Sequence, residues 1–329
     1  MNSLRPTQAE IEELIDDLLL SYQSQPVDLL NINDADAEYR YLTNLRHTYI
    51  RTVNDIISHL RGRDPRSIKI LEIGCFLGVL CVALARLGYR TSTTDIPEFI
   101  RSTRLRKKLE DAGVQYKACN LRDYALPFAG EEFDVVIMCE VLEHLNFNPL
   151  PIVKEINRVI KPQGIAYIAL PNLAEDTNRW RLLNGQSVHN PINDYFAQLD
   201  PNDNMIVGLH WREYTAAEVK EMFEGMDFRV TEQKYVSIQP PPVTPYVKRL
   251  VKKVIRCLIN NQFVRKLIYA SLLDIEHDPS LLDSHVTIAR KIGVCKRMFH
   301  FTEATLPASA QLQGRQQTQP SDESMTTAD

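Results

Sequence analysis

The fold can be predicted from one stretch of sequence, Ile70-Leu71-Glu72-Ile73-Gly74-Cys75-Phe76-Leu77-Gly78-Val79-Leu80. It consists of an apolar strand, a tight turn with two glycines and the apolar start of a helix. The chain has only 12 glycines among 329 residues, so this close pair is informative. Glycine lets the backbone approach a ligand, and ligands of α/β folds bind at the carboxyl ends of the strands. We therefore expect a ligand site at this turn.

An acidic residue stands where a cofactor that carries ribose would need one. Asp95 ends the next predicted strand, and it follows Gly74 by roughly 20 residues, the spacing typical of nucleotide-binding α/β folds. The turn does not match G-x-G-x-x-G, because Phe76 occupies the second glycine position. A pyrophosphate needs the room that this glycine provides. The spacing therefore argues against a nicotinamide-dependent reductase.

Short apolar runs alternate with helical stretches from residue 67 onward, which is typical of a parallel sheet with helices on both faces. Two amphipathic helices are predicted before residue 62. The predicted strands are 68–73, 91–94, 115–118, 133–139, 164–170, 229–237 and 285–290. The predicted helices of the core are 78–87, 98–112, 150–160 and 216–224. Gly88, Gly113, Gly164 and Gly225 are expected to end helices in the left-handed conformation.

The pattern predicts a core with additions on either side. We expect N-terminal helices over 1–66 that pack on the core, the core itself over 67–238, a basic helical insertion over 239–283, a last strand over 284–301 and a disordered tail over 302–329. Within the core, residues 171–212 contain several prolines and read as a long irregular connection of the kind that forms a substrate wall.

Composition excludes several classes of function. The formal net charge of −4 gives no chain-wide attraction for nucleic acid. Six cysteines without a C-x-x-C pair suggest neither a zinc site nor a disulfide framework, and no other spacing typical of metal ligands is visible. The longest apolar run is far shorter than the roughly 20 residues that span a bilayer, and the N-terminus lacks the apolar stretch of a signal peptide. A cytoplasmic location is expected.

Residues 67–172 resemble the class I S-adenosylmethionine-dependent methyltransferases, and the similarity to small-molecule members extends to about residue 238. The resemblance rests on the motifs Leu71-Glu72-Ile73-Gly74-Cys75-Phe76-Leu77-Gly78, Thr94-Asp95, Leu126-Pro127-Phe128, Phe133-Asp134-Val135-Val136, Val141-Leu142-Glu143-His144-Leu145, Ile160-Lys161-Pro162-Gln163-Gly164 and Trp211-Arg212-Glu213-Tyr214-Thr215. It implies a doubly wound, Rossmann-like, mostly parallel sheet of seven strands and S-adenosylmethionine as the cofactor.

The resemblance also implies where the cofactor binds. Glu72, Gly74 and Gly78, with Cys75 in the same turn, correspond to positions around its methionine part, Asp95 to the position that holds the ribose hydroxyls, Asn120 and Leu121 to positions beside the adenine, and Cys139 and Glu140 to positions under the sulfonium. Two positions depart from the family pattern. Phe76 stands where a small residue is frequent, and Asn120 replaces a frequent Asp.

Two histidines are candidates for the base that a hydroxyl acceptor would need. His144 follows the fourth strand, and His210 precedes the Trp211 motif and could close over the cofactor from the acceptor side. A cap or packing role is the alternative for His144, and an ordinary surface position for His210. The residues after the fourth strand lack the Asn/Asp-Pro-Pro-aromatic turn of amine methylation, and no Pro-Cys nucleophile is present. The acceptor is therefore expected to be a small molecule, a sugar or a lipid-linked compound. Oxygen is the expected site of methylation.

The stretch 246–268 is basic on one helical face and contains no acid. One interpretation is a helix in an anionic membrane interface, which would place the protein at the inner face of a membrane next to a lipid-linked acceptor. The other is an insertion packed on the domain with a solvated basic face. A methyltransferase-fold scaffold without catalysis is the alternative to an enzyme. The intact Glu72, Gly74, Gly78 and Asp95 favour the enzyme.

Overall fold

Seven strands form one sheet in the order β3-β2-β1-β4-β5-β7-β6 in the computed structural model, which describes residues 6–29, 35–196, 208–238 and 282–297. The strands are β1 (Lys69–Ile73), β2 (Arg90–Asp95), β3 (Gln115–Ala118), β4 (Phe133–Cys139), β5 (Ile160–Pro171), β6 (Phe228–Val236) and β7 (Ser284–Lys291). The helices are α1 (Gln8–Ser24), α2 (Ala35–Asn44), α3 (Arg46–His59), α4 (Val79–Arg86), α5 (Pro97–Ile100), α6 (Thr103–Asp111), α7 (Leu150–Val159), α8 (Asp176–Leu183), α9 (Ile192–Phe196) and α10 (Ala216–Glu224).

The sheet is mostly parallel, as predicted. Strands β1 to β5 pair with one another only in parallel, whereas β7 lies between β5 and β6 and is antiparallel to both. The strand order reverses between β1 and β4, which pair directly. Such a reversal opens a crevice at the carboxyl ends of the two strands. The turn after Ile73 and the chain after Cys139 therefore leave the sheet side by side.

The two faces of the sheet alternate along each strand, as the pleat requires. Ile70, Val135 and Ile137 belong to one buried cluster with α1, α3 and α4. Their neighbours along the chain, such as Val136, are equally buried but point to the other face. There α7 packs against β5, and α10 packs against β6 and β7. Helices thus cover both faces, which confirms the predicted fold class.

The N-terminal region folds into three helices rather than the two predicted, because the chain turns at Leu45 between α2 and α3. Thr7 caps α1 in a reciprocal capping box with Glu10. The buried Tyr22 on α1 donates its hydroxyl proton to the Leu77 carbonyl at 2.5 Å. The first helix is therefore bonded directly to the glycine turn.

Other predicted boundaries were wrong. The predicted helix over 98–112 is two helices, because Ser102 ends the short α5 and caps α6 by accepting from Leu105 N at 3.2 Å. The connection over 171–212 is not wholly irregular, since it contains α8 and α9. Strand β5 begins at Ile160, before the predicted Gly164.

Two of the four predicted left-handed glycine caps were also wrong. Gly225 has a right-handed φ of −65°, and Asp227 takes the left-handed conformation instead. Gln163 does the same before Gly164. A Cβ on Gly164 would lie 2.6 Å from Ile160 Cγ2 and 3.0 Å from the Asp134 carbonyl, so this glycine permits close packing within the sheet.

No helix within the described residues is long and apolar enough to cross a membrane. The basic stretch 246–268 and the tail 302–329, about which the sequence makes predictions, lie outside the described residues.

Candidate active site

A cavity of about 590 Å³ opens at the carboxyl ends of β1, β2 and β4. It brings together predicted site residues that are far apart in sequence, namely Gly74, Asp95, Leu121, Glu140, His144 and His210. The cofactor candidates and both base candidates therefore line one space. Other predicted residues lie nearby but do not line it, and these are Glu72, Cys75, Gly78, Asn120 and Cys139.

Gly74 brings the backbone to the cavity in a way that no other residue permits. Its φ is +75°, and its N–H donates to the Thr94 carbonyl at 2.8 Å. An added Cβ would lie 2.3 Å from Val141 Cγ2, well inside contact distance. The turn after β1 is thereby packed against the chain that follows β4.

Asp95 is held in place by the turn that it faces. Its Oδ2 accepts from Phe76 N and its Oδ1 from Ile96 N, both at 2.7 Å. Burial raises the pKa of this carboxyl to about 6. Each carboxylate oxygen has a second lone pair, so a fixed acceptor remains for ribose hydroxyls.

The remaining cofactor candidates have structural partners of their own. Glu72 is buried, accepts from Cys81 N at 3.0 Å, and burial raises its pKa to about 8. Gly78 caps α4, and a Cβ there would lie 3.1 Å from Leu109 on α6. Asn120 accepts from Arg122 N at 3.0 Å. Their predicted contacts with a cofactor stay predictions.

Aromatic side chains line the cavity beside the turn, and the sequence did not predict them. The Phe76 ring lies 5.6 Å from the Tyr41 ring and 5.3 Å from the Phe99 ring, centroid to centroid. Tyr41 comes from α2, so the N-terminal helices contribute to the cavity. Glu38 supports this side by accepting from the backbone N–H groups of Val27 and Asp28 at 2.8 and 2.7 Å. The only sequence signal was Phe76 itself, a bulky side chain where the family has a small one.

Two carboxyl groups lie in the segment that follows β4. Glu140 has a left-handed φ of 54°, an uncommon conformation for a residue with a side chain, and burial raises its pKa to about 7. Glu143 is fully buried, and neither carboxylate oxygen has a hydrogen-bond partner among the described residues. Burial and the neighbouring Glu140 charge raise the pKa of Glu143 well above its usual range. Its Oε1 lies 3.8 Å from His144 Nε2, beyond hydrogen-bond distance. A buried carboxylate without a hydrogen bond is costly, so this position calls for a partner.

The two histidines have the same ring nitrogen, Nδ1, next to a fixed oxygen. His144 Nδ1 lies 2.9 Å from the Leu209 carbonyl, and His210 Nδ1 lies 3.0 Å from Glu213 Oε1. Both oxygens only accept, so Nδ1 carries the proton and Nε2 keeps a free lone pair. Burial lowers the pKa of His144, which keeps its ring neutral. The two rings meet edge to face at 4.9 Å.

Glu213 is in turn oriented by Asn178, which donates to Glu213 Oε2 at 2.8 Å. Although burial opposes it, the hydrogen bonds from His210 and Asn178 lower the pKa of Glu213. An ionised carboxylate thus supports His210 from behind, the arrangement that orients histidine bases and metal ligands alike.

The sequence showed no spacing typical of metal ligands, but folding brings such a set together. Ligand atoms of Glu143, His144 and His210 all lie within 4.8 Å of one another. Carboxylate and imidazole ligands suit divalent transition metals such as Mn²⁺, Fe²⁺ and Zn²⁺. A cation there would also provide the partner that the Glu143 carboxylate lacks.

Residues 71–168 match the family model described as a methyltransferase domain. Among curated proteins, the chain is 33% identical over 146 residues to the ubiquinone biosynthesis O-methyltransferase of Mesorhizobium japonicum, a match that covers 42% of this chain and 57% of that enzyme. It is 29% identical over 185 residues to the enzyme of the same name from Sinorhizobium medicae, covering 48% of this chain and 74% of that one. The match thus spans little more than half of the first relative.

Solved structures with a similar chain course include an S-adenosylmethionine-dependent methyltransferase from Methanosarcina mazei, with 18% identity and a TM-score of 0.46 over 72% of this chain and 97% of that one. Another is magnesium protoporphyrin IX methyltransferase from Synechocystis with bound S-adenosylhomocysteine, with 13% identity and a TM-score of 0.46 over 76% and 87%.

Proposed function

Because residues 71–168 form a class I S-adenosylmethionine-dependent methyltransferase domain, we propose that the protein transfers a methyl group from S-adenosylmethionine to a hydroxyl oxygen of a small-molecule acceptor. The observation that carries the proposal is that Gly74, Asp95 and His210 line one cavity at the point where the strand order reverses. The O-methyltransferase names of the relatives support oxygen as the acceptor atom.

The residues present fit this cofactor. Gly74 packs against Val141 and lines the cavity where the methionine part is expected, Asp95 offers a fixed acceptor to the ribose hydroxyls, and Leu121 lines the cavity as an apolar contact for the adenine. The cofactor supplies the reactive methyl group, so the protein mainly has to orient the acceptor and manage its proton. A cofactor held by Gly74, Asp95 and Leu121 would supply the methyl group to the acceptor oxygen and would be released as S-adenosylhomocysteine.

The acceptor proton has two routes in this site. His210, with Glu213 behind it, can take the proton on Nε2. Alternatively, Glu143, His144 and His210 would hold a divalent cation, which would lower the pKa of a hydroxyl bound to it. The Glu143 carboxylate, which accepts no hydrogen bond within the described residues, favours the cation, because a proton relay through His210 leaves Glu143 without a role.

The first experiment measures thermal shifts with S-adenosylmethionine, S-adenosylhomocysteine and NAD. A ligand at about 100 times its Kd adds roughly 2.7 kcal/mol to the free energy of unfolding. We expect shifts with the first two compounds and none with NAD. A shift with NAD alone would contradict the proposal.

The second experiment follows label from methyl-labelled S-adenosylmethionine into a panel of phenols and catechols, with EDTA and after re-addition of Mn²⁺ or Mg²⁺. If methyl transfer is lost with EDTA and recovers with a cation, the cluster of Glu143, His144 and His210 binds a metal. If the rates with and without EDTA are equal, His210 takes the acceptor proton. Cofactor binding without transfer to any member of a broad panel that also includes sugars and lipid-linked compounds would favour a catalytically silent scaffold.

The membrane interpretation of residues 246–268 has a separate test. It predicts salt-sensitive co-sedimentation with anionic liposomes that is lost when Lys248, Arg249, Lys252 and Lys253 are neutralised. Equal sedimentation of the wild type and this variant would leave the packed insertion as the interpretation.

A further inference from the structure

A second cavity, of about 580 Å³, lies beside the first and has no role in the mechanism above. It is formed by α8, α9 and the chain around them. Its lining includes Arg181, His189, Asn190, Tyr195 and Trp211. All of these belong to the connection after β5 or to the loop that follows it, outside the strands that carry the cofactor site.

One loop separates the two cavities. His210 lines the first cavity and the next residue, Trp211, lines the second. The loop is fixed on both sides, because Trp211 N donates to the Glu143 carbonyl at 2.7 Å and His210 N donates to Asn190 Oδ1 at 3.0 Å. Neighbouring residues of one loop therefore line both cavities.

The lining of the second cavity favours an anionic ligand. Arg181 and His189 supply cationic or donor groups, and among the lining residues, all of which the structure describes, none is Asp or Glu. Glu175 and Glu213, whose pKa values respond to the charges of Arg181 and His189, line neither cavity. Guanidinium groups bind carboxylates and phosphates through two parallel hydrogen bonds.

Trp211 and Tyr195 give this cavity an aromatic wall. The Trp211 indole Nε1–H is buried and has no acceptor within the described part of the chain. A buried donor without an acceptor is rare in a folded protein. The Tyr195 ring meets the Trp211 ring edge to face at 5.3 Å, which leaves aromatic surface for the ring of a ligand.

We propose that the second cavity binds a carboxylate- or phosphate-bearing ring of the acceptor, a part distinct from the hydroxyl that is methylated. The anion lies at Arg181, and the ring packs on Tyr195 and Trp211. This inference depends on the proposed function in one respect only, which is that the ligand is identified as part of the methyl acceptor. Binding in this cavity is measurable without any methyl transfer.

The two tryptophans of the chain make the test direct. Trp180 lies on α8 and is half exposed, so Trp180→Phe leaves Trp211 as the single indole reporter. Tryptophan emission is then titrated with benzoate, phenyl phosphate and benzamide in the full-length protein. Benzamide has nearly the shape of benzoate without its charge. Comparison of the affinities for benzoate and phenyl phosphate shows whether the cavity prefers a carboxylate or a phosphate.

Benzoate, phenyl phosphate or both should change Trp211 emission saturably, at an affinity at least tenfold higher than that of benzamide. Arg181→Gln should abolish this preference, whereas Lys220→Gln, which removes an exposed cation on α10, should keep it. Equal affinity for benzoate and benzamide, or an unchanged preference in Arg181→Gln, would overturn the proposal. The thermal shift with S-adenosylhomocysteine is read on the same variants, so loss of cofactor binding is distinguished from loss of this cavity.

Discussion

At the scale of single residues, Asp95 joins the glycine turn to the cofactor site. Asn at this position offers only one acceptor oxygen, and its NH₂ group would face a backbone N–H. We expect Asp95→Asn to weaken S-adenosylhomocysteine binding at least tenfold, or about 1.4 kcal/mol, in isothermal titration calorimetry. Wild-type affinity should also fall as the pH drops through about 6, where the carboxylate becomes protonated.

Asp111→Asn is the matched control for this prediction. Asp111 lies exposed on α6 and pairs with Lys107 outside the cavity. The affinity of Asp111→Asn for S-adenosylhomocysteine should equal that of the wild type. Unchanged affinity in Asp95→Asn as well would mean that the ribose is held elsewhere.

Glu143 makes a prediction about stability. The pKa of this buried carboxyl is raised in the folded state, so above the unfolded value of 4.5 the native state holds more protons than the unfolded state. Stability is therefore lost as the pH rises. Without metal, Glu143→Gln should be more stable than the wild type by at least about 1 kcal/mol at pH 8, and the difference should vanish below about pH 4. Denaturant unfolding in EDTA across this pH range measures both.

The same variant should lose methyl transfer, since Gln neither balances a cation nor accepts as a carboxylate does. Glu221→Gln, at an exposed position on α10, should change neither stability nor activity. A Glu143→Gln variant that is less stable than the wild type at pH 8 would show that the carboxylate is well partnered in solution.

The sequence allowed individual residues to be predicted where a local motif carried them. Gly74 and Asp95 follow predicted strands and line the cavity as expected. Glu143 was not assigned a role, because its burial depends on the distant loop at Trp211 that bonds to its carbonyl. The support of His210 by Glu213 and Asn178 likewise depends on how α8 packs, which no local pattern shows.

At the scale of elements, the strands and α7 were predicted to within a few residues, because apolar runs and helical spacing are local properties. The break at Ser102 was missed although Ser is a favoured N-cap. Gln163, next to Gly164, and Asp227, two residues after Gly225, adopt the left-handed conformations expected of the glycines. Packing against neighbouring strands, rather than the identity of the residue, decided these two turns.

The bond between α1 and the glycine turn predicts a link between these elements. Tyr22→Phe leaves the Leu77 carbonyl without its hydrogen bond. An unsatisfied buried acceptor costs about 1–3 kcal/mol, so we expect a loss of stability of this size in urea unfolding. S-adenosylhomocysteine should also bind more weakly, since Leu77 lines the cavity.

Tyr116→Phe removes a tyrosine hydroxyl that bonds Glu110 near the surface, and it serves as the control. Its stability in urea and its affinity for S-adenosylhomocysteine should equal those of the wild type within error. If Tyr22→Phe behaved like this control, α1 would be a passive cover rather than a support of the turn.

At the scale of the whole molecule, we propose that residues 239–281 are an insertion and that the strands on either side complete the core. Val236 pairs with Ser284 at the end of an antiparallel ladder, and Ile238 N donates to Asp283 Oδ1 at 2.9 Å. Replacing 239–281 by a short glycine linker should therefore preserve folding, measured by circular dichroism, and the thermal shift with S-adenosylhomocysteine. An unfolded variant, or one without the shift, would assign the segment to the core.

The antiparallel β7 has a consequence for how such a protein can change over evolutionary time. Because β6 and β7 are joined as neighbours, their register is set by their own ladder and by β5, whatever the length of chain between them. Loop-closure entropy grows only with the logarithm of length, so doubling a flexible connection costs about 0.6 kcal/mol. Segments can thus be gained, lost or exchanged at this edge of the sheet with little effect on the cofactor cavity at β1 and β4.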